Sequence, residues 1–373
     1  MAVVASCVGF VLIGALQALY GPAIPALRTD FGVSASGASL ALSAHFLGGV
    51  TGVLAFQRMH GRLGNRMLVA AAYLLMAIGG ILFAIAPWWP MAVGAAVVMG
   101  LGFGGIDYGL NQLFAVGFGH RSPAMLNILN AHFGVGAIAG PALISVFRPE
   151  RYAAIFIAFA VLSLLLMLTV RGIRDHDDTD DAPVVAASGG IGRTGRMILT
   201  AFVGLYVLNV AVESGIGGWE PTHVESLGHT AAYGAAATSV YWFMLTLGRF
   251  LVAPLALRWR PSTIIVWSCA GMAVCLLLAP IPQLTVFAYA GVGLFIAPVF
   301  PTGLPWLARG VPQVQRAGGY LVAASMIGGV AFPPLLGMGI EWWGVVSIPW
   351  TLFILTAVSL GMAVWLRRAV GVD

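Results

Sequence analysis

Lysine is missing from this chain, and its 18 basic residues are all arginine. Charge of either sign is scarce. Only 8% of the 373 residues are charged and 60% are hydrophobic, where a soluble domain carries about 25% charged residues. That scarcity excludes a soluble globular protein and indicates an all-α polytopic membrane protein. Cysteine is almost as rare. Cys7, Cys269 and Cys275 each fall in an apolar stretch, with no CxxC, no zinc spacing and no disulfide framework. They read as small apolar residues, and no metal site is expected. There is no Walker P-loop, so ATP does not drive the chain directly. No nucleophile–base pair marks an enzyme. "GLGFGG" contains GxGxxG by letter, but no strand precedes it. In a membrane helix such glycines let neighbouring helices approach. The net charge of +5 does not indicate nucleic acid, because most arginines sit in short loops between apolar runs. The first residues, Met1 to Leu19, lack a basic n-region and read as a membrane helix rather than a signal peptide.

A membrane helix needs about 20 mainly apolar residues. Twelve candidates lie near 3–26, 34–57, 67–87, 90–118, 125–147, 151–171, 196–218, 231–256, 262–282, 284–307, 317–339 and 344–366. "APWWP" (Ala86 to Pro90) divides the third from the fourth. "APIPQ" (Ala279 to Gln283) divides the ninth from the tenth. Proline stops helices, and tryptophan favours the membrane interface. One long polar stretch, "RDHDDTDDAPVVAASGGIGRTGR" (Arg174 to Arg196), reads as a solvated linker. It splits the chain into a first six-helix bundle, 1–172, a cytoplasmic linker, 173–195, and a second six-helix bundle, 196–373. With both termini inside, fourteen arginines fall in inner segments, three in outer loops, and Arg249 within a helix. By the positive-inside rule both termini face the cytoplasm of a plasma membrane.

The halves repeat one another. Gly48 and Arg58 match Gly248 and Arg258 at an offset of 200. Gly100 and Gly102 match Gly291 and Gly293, and Gly136 and Pro141 match Gly329 and Pro334, at offsets of 191 and 193. Six is an even number of crossings, so the repeats are parallel. A substrate site between such repeats lies near the midplane.

Of the thirteen acids, five lie in the linker (Asp175, Asp177, Asp178, Asp180, Asp181) and Asp373 ends the chain. Asp30, Glu150, Glu220, Glu225 and Glu341 fall in or beside outer loops, leaving Asp107 and Glu213 inside spans. A charge at mid-bilayer costs about 2.5–3.5 kcal/mol on insertion scales. A carboxyl there is a candidate proton carrier. The bland reading is a buried acid that pairs with arginine or caps a broken helix. Asn111 shares a helical face with Asp107, as Asn209 does with Glu213. The glycines after Glu213 suggest a bent or broken helix end. Gln17, Tyr20, Asn127, Asn130, His132 and His45 are further candidates for a cavity, and hydrogen bonds between helices account for them equally well. Tyr241, Trp242 and Trp306 could stack on a sugar ring or serve in packing. Arg249 is expected in an inner gate with Arg58 and Arg258.

Four stretches carry a resemblance. They are "GLGFGGIDYGLNQL" (Gly100 to Leu113), "LNILNAHFGVGAIAGPAL" (Leu126 to Leu143), "LYVLNVAVESGIGGWEPTHV" (Leu205 to Val224), and the pair "YWFMLTLGRF" with "LFIAPVFPTGLPWLA". The chain resembles the major facilitator superfamily over nearly its whole length. Within it, the sequence is similar to the fucose permease-like branch of fucose–galactose–glucose proton symporters. The resemblance implies that Asp107 and Glu213 serve proton coupling, with Trp219 following in the seventh-helix pattern. Departures are visible. Asn130 stands where the branch has histidine, and His132 is displaced by two. His223 replaces a tyrosine. Phe56 stands at the aspartate of the inner-loop motif in "GVLAFQRMHGRLGNR".

The expected function is proton symport of a small neutral polar solute, most readily a monosaccharide, by rocking of two bundles. Gln17, Tyr20, Asn111, Asn130, His132, Asn209, Trp219, Tyr241 and Trp242 are the substrate-binding candidates. No cofactor is expected beyond the proton gradient. The partners are a small molecule, protons and lipid, and a monomer suffices. Efflux of apolar or cationic compounds by proton antiport is the rival within transport. A sensor or lipid-handling protein on the same fold is the rival outside it.

Overall fold

A computed structural model describes residues 2–60, 62–118, 121–173, 192–256, 258–310 and 323–370. Among them, twelve helical spans are long and apolar enough to cross a bilayer. The first half holds α1 (Ala2–Phe31), α2 (Ala35–Met59), α3 (Asn65–Ala84), α4 (Trp89–Gly117), α5 (Ser122–Phe147) and α6 (Tyr152–Thr169). The second holds α7 (Arg193–Ser226), α8 (Ala231–Ala256), α9 (Pro261–Leu278), α10 (Thr285–Ile296), α11 (Val299–Gly310), α12 (Ile327–Trp343) and α13 (Ser347–Ala369). The five linker aspartates, Arg174, Arg316 and Asp373 lie outside the described residues.

Local chemistry sets several boundaries. Ser34 caps α2, its hydroxyl accepting from the Gly37 amide at 3.1 Å. Proline occupies the first turn of α4, α5 and α9, where its missing N–H costs nothing. Two elements depart from expectation. The helix through Glu213 does not break at its glycines; α7 runs on to Ser226 with Pro221 inside it. The tenth span, expected as one helix, is divided near Ala297 and Pro298 into α10 and α11.

With twelve crossings both termini lie at one end of the bundle, called here the terminal end; the opposite end is the far end. In the first half α2 packs on α4, α1 on α5, and α3 on α4 and α6. In the second half α8 packs on α10, and α7 and α9 on α13. The halves meet through α2 with α12 and α5 with α8. A shift of six spans exchanges these two contacts, as a parallel repeat requires. The matched glycines do equivalent work. A Cβ on Gly100 would fall on the His45 carbonyl of α2, and one on Gly293 on the Tyr241 carbonyl of α8.

The halves approach closely towards the far end. A Cβ on Gly21 of α1 would strike the backbone carbonyl of Gly217 on α7. At the far rim the Ser36 amide donates to Glu341 Oε1 at 2.8 Å, joining the start of α2 to the end of α12. An acid at a helix N-terminus also meets the positive end of the helix dipole.

Candidate functional site

Three of the expected polar residues form one hydrogen-bonded chain. Asn130 of α5 donates from Nδ2 to Asn111 Oδ1 at 3.0 Å. Asn111 of α4 donates in turn to Asp107 Oδ1 at 3.0 Å and to the Asp107 carbonyl at 2.9 Å. Both amides therefore point their donors towards the acid. Asp107 and Asn111 are partly buried, while Asn130 and Asn127 are exposed. The helix spacing of four puts Asn111 under Asp107, and the α4–α5 contact supplies Asn130.

This chain lies beside the crossing of the two halves. A Cβ on Gly134 of α5 would come 2.5 Å from Thr246 Oγ1 of α8. Asn130 is one turn to the terminal side of Gly134. Arg249 is one turn to the terminal side of Thr246, because α8 runs the opposite way. The polar groups of both halves thus flank one crossing on its terminal side.

A second polar zone lies on α7 and α8. Glu213 is partly buried, and its charge interacts with that of Arg249. Asn209 is buried one turn before it, with Oδ1 lacking a hydrogen-bond partner among the described residues. Tyr241 and Trp242 are buried on α8, and the Tyr241 hydroxyl and Trp242 Nε1 also lack partners there. Trp242 lays its ring on Gly217, where an added Cβ would meet Cζ2 at 3.2 Å. Trp219 is fully buried, and its indole N–H donates to the Pro333 carbonyl at 3.0 Å.

Other expected site residues are placed apart from these zones. Tyr20 sits in the core of the first half, with its ring 5.8 Å from Phe83 and 5.6 Å from Phe156. Its hydroxyl lies 3.3 Å from His45 Nδ1. Gln17, one turn earlier, is partly buried. His132 donates from Nδ1 to the Ile128 carbonyl at 2.7 Å, since a carbonyl can only accept. Trp306 is buried against Phe202 at 5.0 Å. Arg58 and Arg258 are exposed at the terminal ends of α2 and α8.

Three features escaped the sequence reading. Glu220, expected beside an outer loop, lies inside α7 and is fully buried, so the acids within spans include a third. Its signal was the seven-residue spacing from Glu213 on one helical face. Glu341 reaches across the halves to Ser36, which nothing local announces. Arg66 donates to the carbonyls of Arg171 and Ile173 at 3.1 and 3.2 Å, tying the first turn of α3 to the segment that follows α6.

Comparison with known proteins gives concordant results. The family model of the Major Facilitator Superfamily matches residues 6–274. The mouse protein named major facilitator superfamily domain-containing protein 4A is 30% identical over 122 residues, 30% of this chain and 22% of that protein. Its human counterpart is 27% identical over 148 residues, 37% of this chain and 26% of that protein. The chain thus spans about a quarter of the length of these curated relatives. Among solved structures, a D-xylose–proton symporter superposes with a TM-score of 0.81 at 14% identity, over 98% of this chain and 96% of its own. A nucleoside transporter gives 0.78 at 14%, over 99% and 98%. The fucose:proton symporter of E. coli gives 0.66 at 15%, over 98% of each. At these identities the likeness is one of fold.

Proposed function

This chain belongs to the major facilitator superfamily and is a membrane transporter, and from that premise we propose that it carries a small neutral polar solute together with protons. The solute class we favour is a monosaccharide. One observation carries the reading: the donor chain from Asn130 through Asn111 to Asp107, beside the crossing of the two halves. Amides suit hydroxyl groups, since each offers a donor and an acceptor. A carboxyl wired to those amides couples its protonation to what they bind. Glu213 and Arg249 supply the matching charges from the second half. Tyr241 and Trp242 offer aromatic faces close by. The same fold serves proton symport of xylose and of fucose in the solved structures.

In this reading the terminal end faces the cytoplasm, which the arginine bias supports. Closure at the far end, through Gly21–Gly217 and Ser36–Glu341, then corresponds to an inward-facing state. Rocking about the α5–α8 and α2–α12 contacts exposes the site to the other side. One copy supplies every residue of the polar zone, so a monomer suffices. Purified protein in liposomes, given labelled fucose, galactose or glucose and an inward proton gradient, should accumulate one of them. A protonophore should abolish that accumulation. Uptake that ignores the gradient would sink the symport reading, and gradient-driven export of hydrophobic cations would replace it with antiport.

A further inference from the structure

Glu220 is an acid that the transport site does not use. It is 0% exposed, two turns beyond Glu213 on the same face of α7. At 1.5 Å per residue the two lie about 10 Å apart along the helix. Thr238 of α8 reaches the carboxyl, and its hydroxyl also lies 3.3 Å from the Gly234 carbonyl, so its one proton serves either acceptor but not both. Both carboxyl oxygens are otherwise left without a hydrogen-bond partner among the described residues. With the single Thr238 proton shared in this way, a buried carboxylate there has little to replace its lost hydration. A bound proton removes that requirement.

The surroundings are those of a proton site rather than a metal or anion site. From α8 comes Tyr241, fully buried, whose hydroxyl has no partner and which interacts electrostatically with Glu213, Glu220 and Arg249. From α10 comes Tyr289, which interacts with Glu220 and whose hydroxyl lies 2.8 Å from His223 Nδ1. His223 is itself buried one turn beyond Glu220 on α7. Glu225, partly buried, follows nearer the far end, with one carboxyl oxygen unpartnered. Glu213 and Glu220 thus share one face of α7, with His223 a turn further towards the far end.

We propose that Glu220 is a second proton-binding site, on the far-end side of Glu213 along α7. The proposal deepens the proton-coupled reading above and rests on it. It adds a position where a proton waits outside the substrate site.

The test is infrared difference spectroscopy of the purified full chain in lipid, acid minus alkaline, between about pH 5 and about pH 9. The only ligand used is the proton, so no substrate is required. Wild-type protein should show a carboxylic C=O band that Glu220→Gln removes. Glu220→Asp should keep the band and shift it. Tyr241→Phe should also shift it, because the phenol is its neighbour. Spectra of wild type and Glu220→Gln that superimpose overturn the proposal, whether the group is always charged or always neutral. Should Glu220→Gln fail to fold, no shift in both Glu220→Asp and Tyr241→Phe overturns it equally. Failure of gradient-driven uptake would refute the symport reading while leaving this band in place, so the two failures are distinguishable.

Discussion

Replacing Gly21 with alanine should open the far end. The added Cβ on α1 would strike the Gly217 carbonyl on α7, and the next nearest atoms, Gly217 C at 2.8 Å and Gly218 Cα at 2.9 Å, are also backbone. No side-chain rotation relieves such a clash, so the helices must separate. Overpacking of this kind costs about 1–3 kcal/mol. The cost falls on the state in which α1 and α7 touch, and it is relieved where the halves part. A bias of about 1–3 kcal/mol shifts a two-state equilibrium about 5- to 150-fold. Spin labels at Thr29 and Thr230, both exposed at the far end on opposite halves, would report the change by pulsed electron resonance. The distance distribution should move to longer values in Gly21→Ala. Gly94→Ala is the control, because a Cβ there meets nothing within 4 Å. An unchanged distribution in a stable Gly21→Ala protein would refute the reasoning, since the close approach would then not hold the far end shut.

Other consequences are equally direct. Asn130→Ala should raise the half-saturating substrate concentration about tenfold with unchanged thermal stability, because an exposed amide feeding the Asp107 chain is lost; equal transport curves would count against it. Trp219→Phe should lower the melting temperature by a few degrees, since the buried Pro333 carbonyl loses its donor at a cost of about 1 kcal/mol; an unchanged melting temperature would remove that bond from the account. Glu341→Ala should speed thiol labelling at the far rim, tested with cysteine at Ser34 in a background without Cys7, Cys269 and Cys275, because the Ser36 amide loses its acceptor; identical labelling rates would dismiss the clasp.

Much of this architecture could be read from apolar run lengths and proline positions. The fourth and ninth spans, expected near 90 and 262, begin at Trp89 and Pro261, with Pro90 and Pro261 in their first turns. Asp107 and Asn111 were legible as a pair, since four residues is the spacing of one helical turn. Asn130 was legible only as a polar residue in an apolar span; its bond to Asn111 needed the α4–α5 packing. Tyr20 shows the limit of such reading. Its helix is apolar on nearly every face, so hydropathy does not set rotation, and the ring turned into the first-half core. Glu220 was hidden by its neighbours. "WEPTHVES" carries proline, acids and histidine together, which reads as a loop. In the fold, α8 and α10 cover that stretch and hold it helical. The break near Pro298 was hidden the other way, because continuous hydropathy masked the turn between α10 and α11.

The central claim is that the acid at the end of the Asn130–Asn111 chain couples protons to the solute. Charge movement on a solid-supported membrane measures this most directly. Purified protein would receive fucose, galactose or glucose at fixed pH, beside Asp107→Asn of matched stability. The account predicts a solute-dependent inward current with one of these sugars, absent in Asp107→Asn while exchange of labelled solute persists. A current of wild-type size in Asp107→Asn would contradict it.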